Sequence, residues 1–113
     1  MKIITQPRSV DELKQMAKEK FGNLVKAVVD VEKKIMAVDA ELHADAEALL
    51  VENGSRQPDL WGINIYPDLN REDWIEFDSM INLKPGQGNK SRDVENEATK
   101  RVICVIVDGL IKN

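Results

Sequence analysis

The sequence predicts an α+β protein: an N-terminal helix, a mainly antiparallel sheet of four to five strands and a C-terminal helix, with the helices packed on one sheet face. Three observations lead there. Apolar residues near the N-terminus recur at helical spacing, those in the middle of the chain alternate with period two, and those at the C-terminus return to helical spacing.

The first helix starts behind Pro7 in "SVDELKQMAKEKFG". Ser9 and Glu12 have the spacing of a capping box, in which each side chain satisfies a free backbone N–H of the other. Val10, Leu13, Met16, Ala17 and Phe21 share one face, and Gly22 ends the helix because glycine tolerates positive φ.

Strands follow. In "LVKAVVDV" (24–31), Val25, Ala27, Val29 and Val31 alternate with Lys26, Val28 and Asp30. "EKK" makes a turn and "IMAV" (35–38) a returning strand. "LWGINIYP" (60–67) puts Trp61, Ile63 and Ile65 on one side. "WIEFDSMINL" (74–83) sends Ile75, Phe77, Ile81 and Leu83 one way and Glu76, Asp78 and Asn82 the other. The stretch 67–73 joins those two strands as a hairpin. Such alternation suits an antiparallel sheet covered on one side only.

"ELHADAEALLVENGS" (41–55) fits two templates. As a helix it aligns Leu42, Ala46, Leu49 and Leu50 and profits from alanine. As a strand it places Leu42, Ala44, Ala46 and Ala48 on one face. The strand is the preferred reading for 47–52, because the segment runs straight into the next apolar stretch. The last segment reads as a helix over 93–111, with Val94, Ala98, Val102, Val105, Ile106 and Leu110 on a broad stripe and Ile103, Val107 and Ile111 on the other flank. A helix apolar on two sides lies deep in the core or meets a second subunit.

A chain of 113 residues fits a single domain, 1–113, that buries a core without staples. With 42% hydrophobic and 32% charged residues it has the balance of a folded protein, not of a disordered one. One cysteine forms no internal disulfide, and one cysteine with one histidine builds no zinc ribbon. "MKIITQPRSV" lacks a signal-peptide core, and the longest apolar run, "VICVIV" (102–107), is too short to span a bilayer. The expected location is the cytoplasm. A net charge of -4 disfavours nucleic acid as partner.

The segments "VKAVVDVEKKIMAV", "ELHADAEALLVENGS", "LWGINIYPD" and "WIEFDSMINLKPGQGN" resemble an uncharacterised prokaryotic family of unknown function over nearly the whole chain. Glycines are common in that family where this chain has Asp39 and Ala40. The resemblance implies no catalytic residue, cofactor or partner.

Two constellations carry possible chemistry. "KPGQGNKSRD" (84–93) looks like a phosphate loop, but Gly86 stands too close to Lys90 and Ser91 for a Walker motif, and the third glycine of a dinucleotide fingerprint is missing. A looser anion site survives in Gln87, Asn89, Lys90, Ser91 and Arg92, with Ser91 or Asp93 capping the final helix. Asp93, Glu95 and Glu97 work against it, and a plain solvated connection between strand and helix is the preferred reading of the loop. The second constellation is His43, Asp45 and Glu47, in strand spacing a row able to hold a divalent ion or to orient a general base. A solvated acidic surface with an incidental histidine is the plainer alternative. Trp61, Trp74 and Tyr66 read as core and edge filling, and Cys104 as an inert thiol. No cofactor is expected.

Two functions follow as expectations. One is an interaction protein working as a homo-oligomer through the C-terminal helix. The other is a small-anion or metal-binding protein, or an enzyme, with its site between the 84–92 loop and the acidic segment around His43.

Overall fold

The structure, a computed structural model, describes residues 1–113. Its elements in chain order are β1 (Lys2–Ile4), β2 (Arg8–Ser9), α1 (Val10–Glu19), β3 (Val25–Asp30), β4 (Ile35–Ala40), α2 (His43–Glu52), β5 (Leu60–Ile65), β6 (Ile75–Glu76), α3 (Glu97–Leu110) and β7 (Ile111–Lys112). Five strands form one antiparallel sheet in the order β1-β4-β3-β5-β6, and β2 pairs with β7 in a short parallel ladder. The fold is α+β, with the predicted helices at both ends of the chain.

Helix α1 begins where expected. Ser9 Oγ accepts from the Glu12 N–H at 3.2 Å, but Glu12 turns its carboxylate to Arg8 at 3.4 Å, so only half of the capping box forms. Gly22, at φ +91°, closes the helix with an N–H bond of 2.6 Å to the Ala17 carbonyl. Phe21 lies beyond the last turn and is exposed rather than part of the apolar face.

Strand β3 alternates as read. Val25, Ala27 and Val29 join Met36, Val38, Ile63 and Ile65 in a core that α1 and α3 cover. The two predicted helices therefore do share one face of the sheet. The other face is not bare, which corrects the expectation of a sheet covered on one side: Val28, Ala37 and Leu60 pack against Ala46 and Leu50 of α2. This contact decides the ambiguous segment. Residues 47–52 are helix, not strand, because alanine favours a helix and the second face of the sheet offers apolar surface to cover.

The β3–β4 turn is organised by Asp30, which is fully buried. Its Oδ1 accepts from the N–H groups of Glu32 and Lys33 at 2.9 and 2.8 Å, and its Oδ2 from the Ser55 hydroxyl at 2.6 Å. At the far end of β4 the register shifts, and Asp39 adopts φ +64°. A glycine would adopt that left-handed backbone without strain. Here the carboxylate of Asp39 is held by Lys20 at 3.3 Å and by the terminal amine at 3.6 Å.

The predicted strand 74–83 shrinks to β6. Beyond it the chain folds back toward β5, and Asn82 replaces a strand with its side chain. The Gly62 N–H donates to Asn82 Oδ1 at 2.8 Å, and Asn82 Nδ2 donates to the Gly62 carbonyl at 3.0 Å. Ile81 thus packs on the α2 side and Leu83 is exposed, unlike Ile75 and Phe77, which reach the main core. Helix α3 is shorter than the predicted 93–111. Its cap is Asn96, whose Oδ1 accepts from the Thr99 N–H at 3.0 Å, rather than Ser91 or Asp93. Ile103, Ile106, Val107 and Leu110 face the core, whereas Val102 and Val105 are 40% and 69% exposed.

Candidate functional site

The pairing register sets Lys26, Asn64 and Glu76 side by side across β3, β5 and β6. They stand on the sheet face that α2 covers. Helix α2 begins over this row, so its first residue, His43, is pressed onto β5, and the Asp78–Ile81 segment closes the far side. Together with Arg92 these elements enclose a cleft of about 300 Å³ whose lining includes Lys26, His43, Asn64, Asp78, Ser79 and Arg92.

His43 Nε2 lies 2.8 Å from the Ile63 carbonyl oxygen. A carbonyl only accepts, so Nε2 carries the hydrogen and the neutral ring keeps a lone pair on Nδ1. Burial holds the His43 pKa below the ordinary histidine value, and the charge of Lys26 adds to that, against opposing pulls from the Ile63 carbonyl, the Asn64 side chain and Asp78. His43 is therefore a neutral imidazole at pH 7, able to accept a hydrogen bond or a proton.

Asn64 is 5% exposed. Its Nδ2 donates to Glu76 Oε1 at 2.8 Å and to the Asp78 carbonyl at 3.4 Å, which settles the orientation of the amide. Its Oδ1 is buried and makes no hydrogen bond of good geometry, although it lies close enough to the His43 ring to pull that pKa upward. Buried acceptors are satisfied in the great majority of cases, so an orphan beside a histidine in a cleft calls for an explanation. At the mouth, Arg92 Nε donates to Asp78 Oδ1 at 2.7 Å, leaving the terminal guanidinium nitrogens free of protein partners.

The structure brings His43 and Arg92 into this one cleft and distributes the other sequence candidates elsewhere. Asp45 lines a separate hollow with Lys20, Asp39 and Glu52. Glu47 lies outside the cleft, with its Oε2 buried and unpartnered; burial lowers the Lys84 pKa, and the charges of Glu47 and Asp59 act against that. No three acidic, histidine or cysteine side chains gather closely enough to hold a metal ion.

The 84–92 loop is built on its own polar groups. Lys84 is buried and donates to the Gln57 carbonyl at 3.1 Å. Asn89 is buried too: its Nδ2 reaches the carbonyls of Asn82, Ser91 and Asp93 at 2.7, 3.2 and 2.7 Å, and its Oδ1 accepts from the Glu95 N–H at 2.9 Å. Gln87 ties the loop to the Pro58 carbonyl at 3.0 Å, and the Lys90 N–H donates to Glu95 at 3.1 Å. Ser91 is half-buried. The backbone donors a phosphate would need at Lys90 and Glu95 are thus already taken.

Lys26, Asn64, Asp78 and Ser79 were missed from the sequence. The only local signal was Asn64, a polar residue between Ile63 and Ile65 on a strand with apolar residues on both faces.

Trp61 and Trp74 are core residues as expected, the latter donating from Nε1 to the Leu69 carbonyl at 2.9 Å. Cys104 is half-buried, and burial together with Asp108 pushes its pKa up, away from thiolate chemistry. No helix is long and apolar enough to cross a membrane.

No curated protein and no solved structure matches the chain. A family model matches residues 2–110 of the 113, and the chain belongs to that family, described as protein of unknown function (DUF5674).

Proposed function

We propose that the protein binds a small polar organic ligand in the cleft between His43 and Arg92. The observation that carries this reading is the buried Asn64 Oδ1, which has no partner and lies beside a neutral histidine. A volume of about 300 Å³ suits a small ligand, at the lower end of known small-molecule sites. Lys26 and Arg92 outnumber Asp78 at the mouth, so the cleft favours a ligand with an anionic group.

The test is ligand-observed NMR with a mixed set of small acids, amines and phosphates. Binding should perturb the amides of Ala44, Asn64 and Ser79 and weaken in Arg92→Gln. A set in which no compound perturbs those amides would remove the reading.

A second reading, self-association, is supported by α3. Ala98, Val102, Val105 and Gly109 form an exposed stripe on its outer side. Their spacings of four, three and four residues read the same in both directions. Two copies of α3 running antiparallel about a two-fold axis would set Val102 of one against Val105 of the other, and Ala98 against Gly109. Arg101 and Asp108, of opposite sign, flank the stripe. The contact is a single helix pair, which places it among weak interfaces.

A further inference from the structure

The cleft divides by chemistry into a floor, a mouth and two flanks. Its floor is His43, Asn64 and Ser79, each less than a tenth exposed. The floor offers two acceptors, the lone pair on His43 Nδ1 and the unpartnered Asn64 Oδ1, and one donor, the Ser79 hydroxyl, whose oxygen accepts from the Ile81 N–H; both donor contacts of the Asn64 amide are already made within the protein. The mouth offers cationic donors from Lys26 and from the free end of Arg92. The flanks are Leu42 and Met80, each 62% exposed and belonging to neither core cluster. A phosphate dianion matches poorly, because its single hydrogen cannot serve both floor acceptors and its double charge would face Asp78.

We infer that the ligand of this cleft is a small carboxylic acid bearing an α-amino or α-hydroxyl donor and an apolar side chain. The donor group meets Asn64 Oδ1 and the His43 ring, the carboxylate meets Lys26 and Arg92, and the hydrocarbon covers Leu42 and Met80. An α-ammonium gains a further partner in Asp78, so the amino form is the better match of the two. This assignment rests on the cleft being a ligand site at all, and the experiment separates the two claims.

Titrate the full chain with L-leucine, its α-hydroxy analogue, isocaproate, isoamylamine and inorganic phosphate, reading the amide and His43 ring resonances. Isocaproate keeps the skeleton and carboxylate without the donor, and isoamylamine keeps the amine without the carboxylate. Leucine, or the hydroxy acid, should bind about tenfold tighter than either truncated probe. Arg92→Gln should reduce the advantage over isoamylamine, Lys26 keeping the remainder, and leave the advantage over isocaproate. Leucine ahead of its hydroxy analogue identifies the amino form, and the reverse order the hydroxy form.

If isocaproate or phosphate binds at least as tightly as leucine and fades in Arg92→Gln, the ligand class is wrong while the cleft remains a site. If none of the probes perturbs the cleft, the class is wrong, and the broader mixed set then decides the cleft separately. Because Arg92 is exposed, its substitution leaves the core intact, and the comparison does not depend on refolding a damaged protein.

Discussion

His43 and Ile63 are linked by a contact of 2.8 Å between the ring Nε2 and the backbone carbonyl oxygen, which pins the start of α2 to the centre of β5. The partner fixes the tautomer, and burial fixes the charge. Nitrogen-correlated NMR of the ring should therefore find the hydrogen on Nε2 and a neutral imidazole at pH 7; a cationic ring at that pH contradicts the account. The chain has a single histidine, so the signal needs no assignment.

The same contact predicts a pH dependence. The folded-state pKa of His43 is depressed, so as pH falls the unfolded chain takes up the proton first, near the ordinary value of 6.5. The stability tied to neutral His43 is present above that pH and is lost as pH falls through the folded-state pKa. Urea midpoints should decline through this mildly acidic window, and His43→Gln should flatten the decline before carboxylate titration sets in. An unchanged slope in the variant contradicts the assignment.

Gly62 has no room for a side chain. A Cβ there would stand 2.5 Å from Ser79 Oγ and 2.6 Å from Ser79 Cβ. Gly62→Ala should cost about 1–3 kcal/mol in chemical denaturation, the usual range for overpacking. Ser79→Gly in the same chain should recover part of that loss, giving a coupling energy of about 0.5 kcal/mol or more. Strict additivity of the two substitutions would refute the steric explanation.

Asn89 and Lys90 are neighbours in sequence with opposite roles. Asn89→Ala leaves buried carbonyls and the Glu95 N–H without partners and should destabilise by about 2 kcal/mol or more. Lys90→Ala changes only an exposed side chain and should stay within about 0.5 kcal/mol of the parent. Thermal and urea unfolding of the two variants check this ordering.

Arg71 ties the C-terminus to the molecule. Its guanidinium lies 3.8 Å from the Trp74 ring centre, and both terminal nitrogens donate to the Ile111 carbonyl at 3.2 Å. Lysine cannot reproduce the stacked fork. Arg71→Lys should cost about 1 kcal/mol and speed amide exchange at the β2–β7 ladder, while exchange in β3 changes by no more than the global loss.

The self-association reading makes a concentration-dependent prediction. Sedimentation equilibrium should show the apparent mass rising above the 12.8 kDa of the chain toward a dimer as concentration reaches the high micromolar range. Val105→Glu should hold it at the monomer mass. A parent protein that stays monomeric at those concentrations ends this reading.

Local physics made α1, β3, β4 and β5 legible in the sequence. Ser9 and Gly22 punctuate a helix by contacts with near neighbours, and alternating valines and isoleucines suit a pleated strand wherever it pairs. The rest depended on partners distant in the chain. The Ala-rich segment 41–55 satisfies both periods, and only the apolar sheet face made by Val28, Ala37 and Leu60, which needs a cover, selects the helix. The alternation of 74–83 is that of a strand, but Asn82 meets the backbone of Gly62 and stops it. The site shows the same division. His43 and Arg92 stood out by residue type, whereas Asn64 acquired its meaning only when folding buried its oxygen without a partner. Sequence by itself determined the class of fold and two corners of the cleft; tertiary structure decided which polar groups were sealed together, because burial and the lack of a hydrogen-bond partner are properties of packed neighbours.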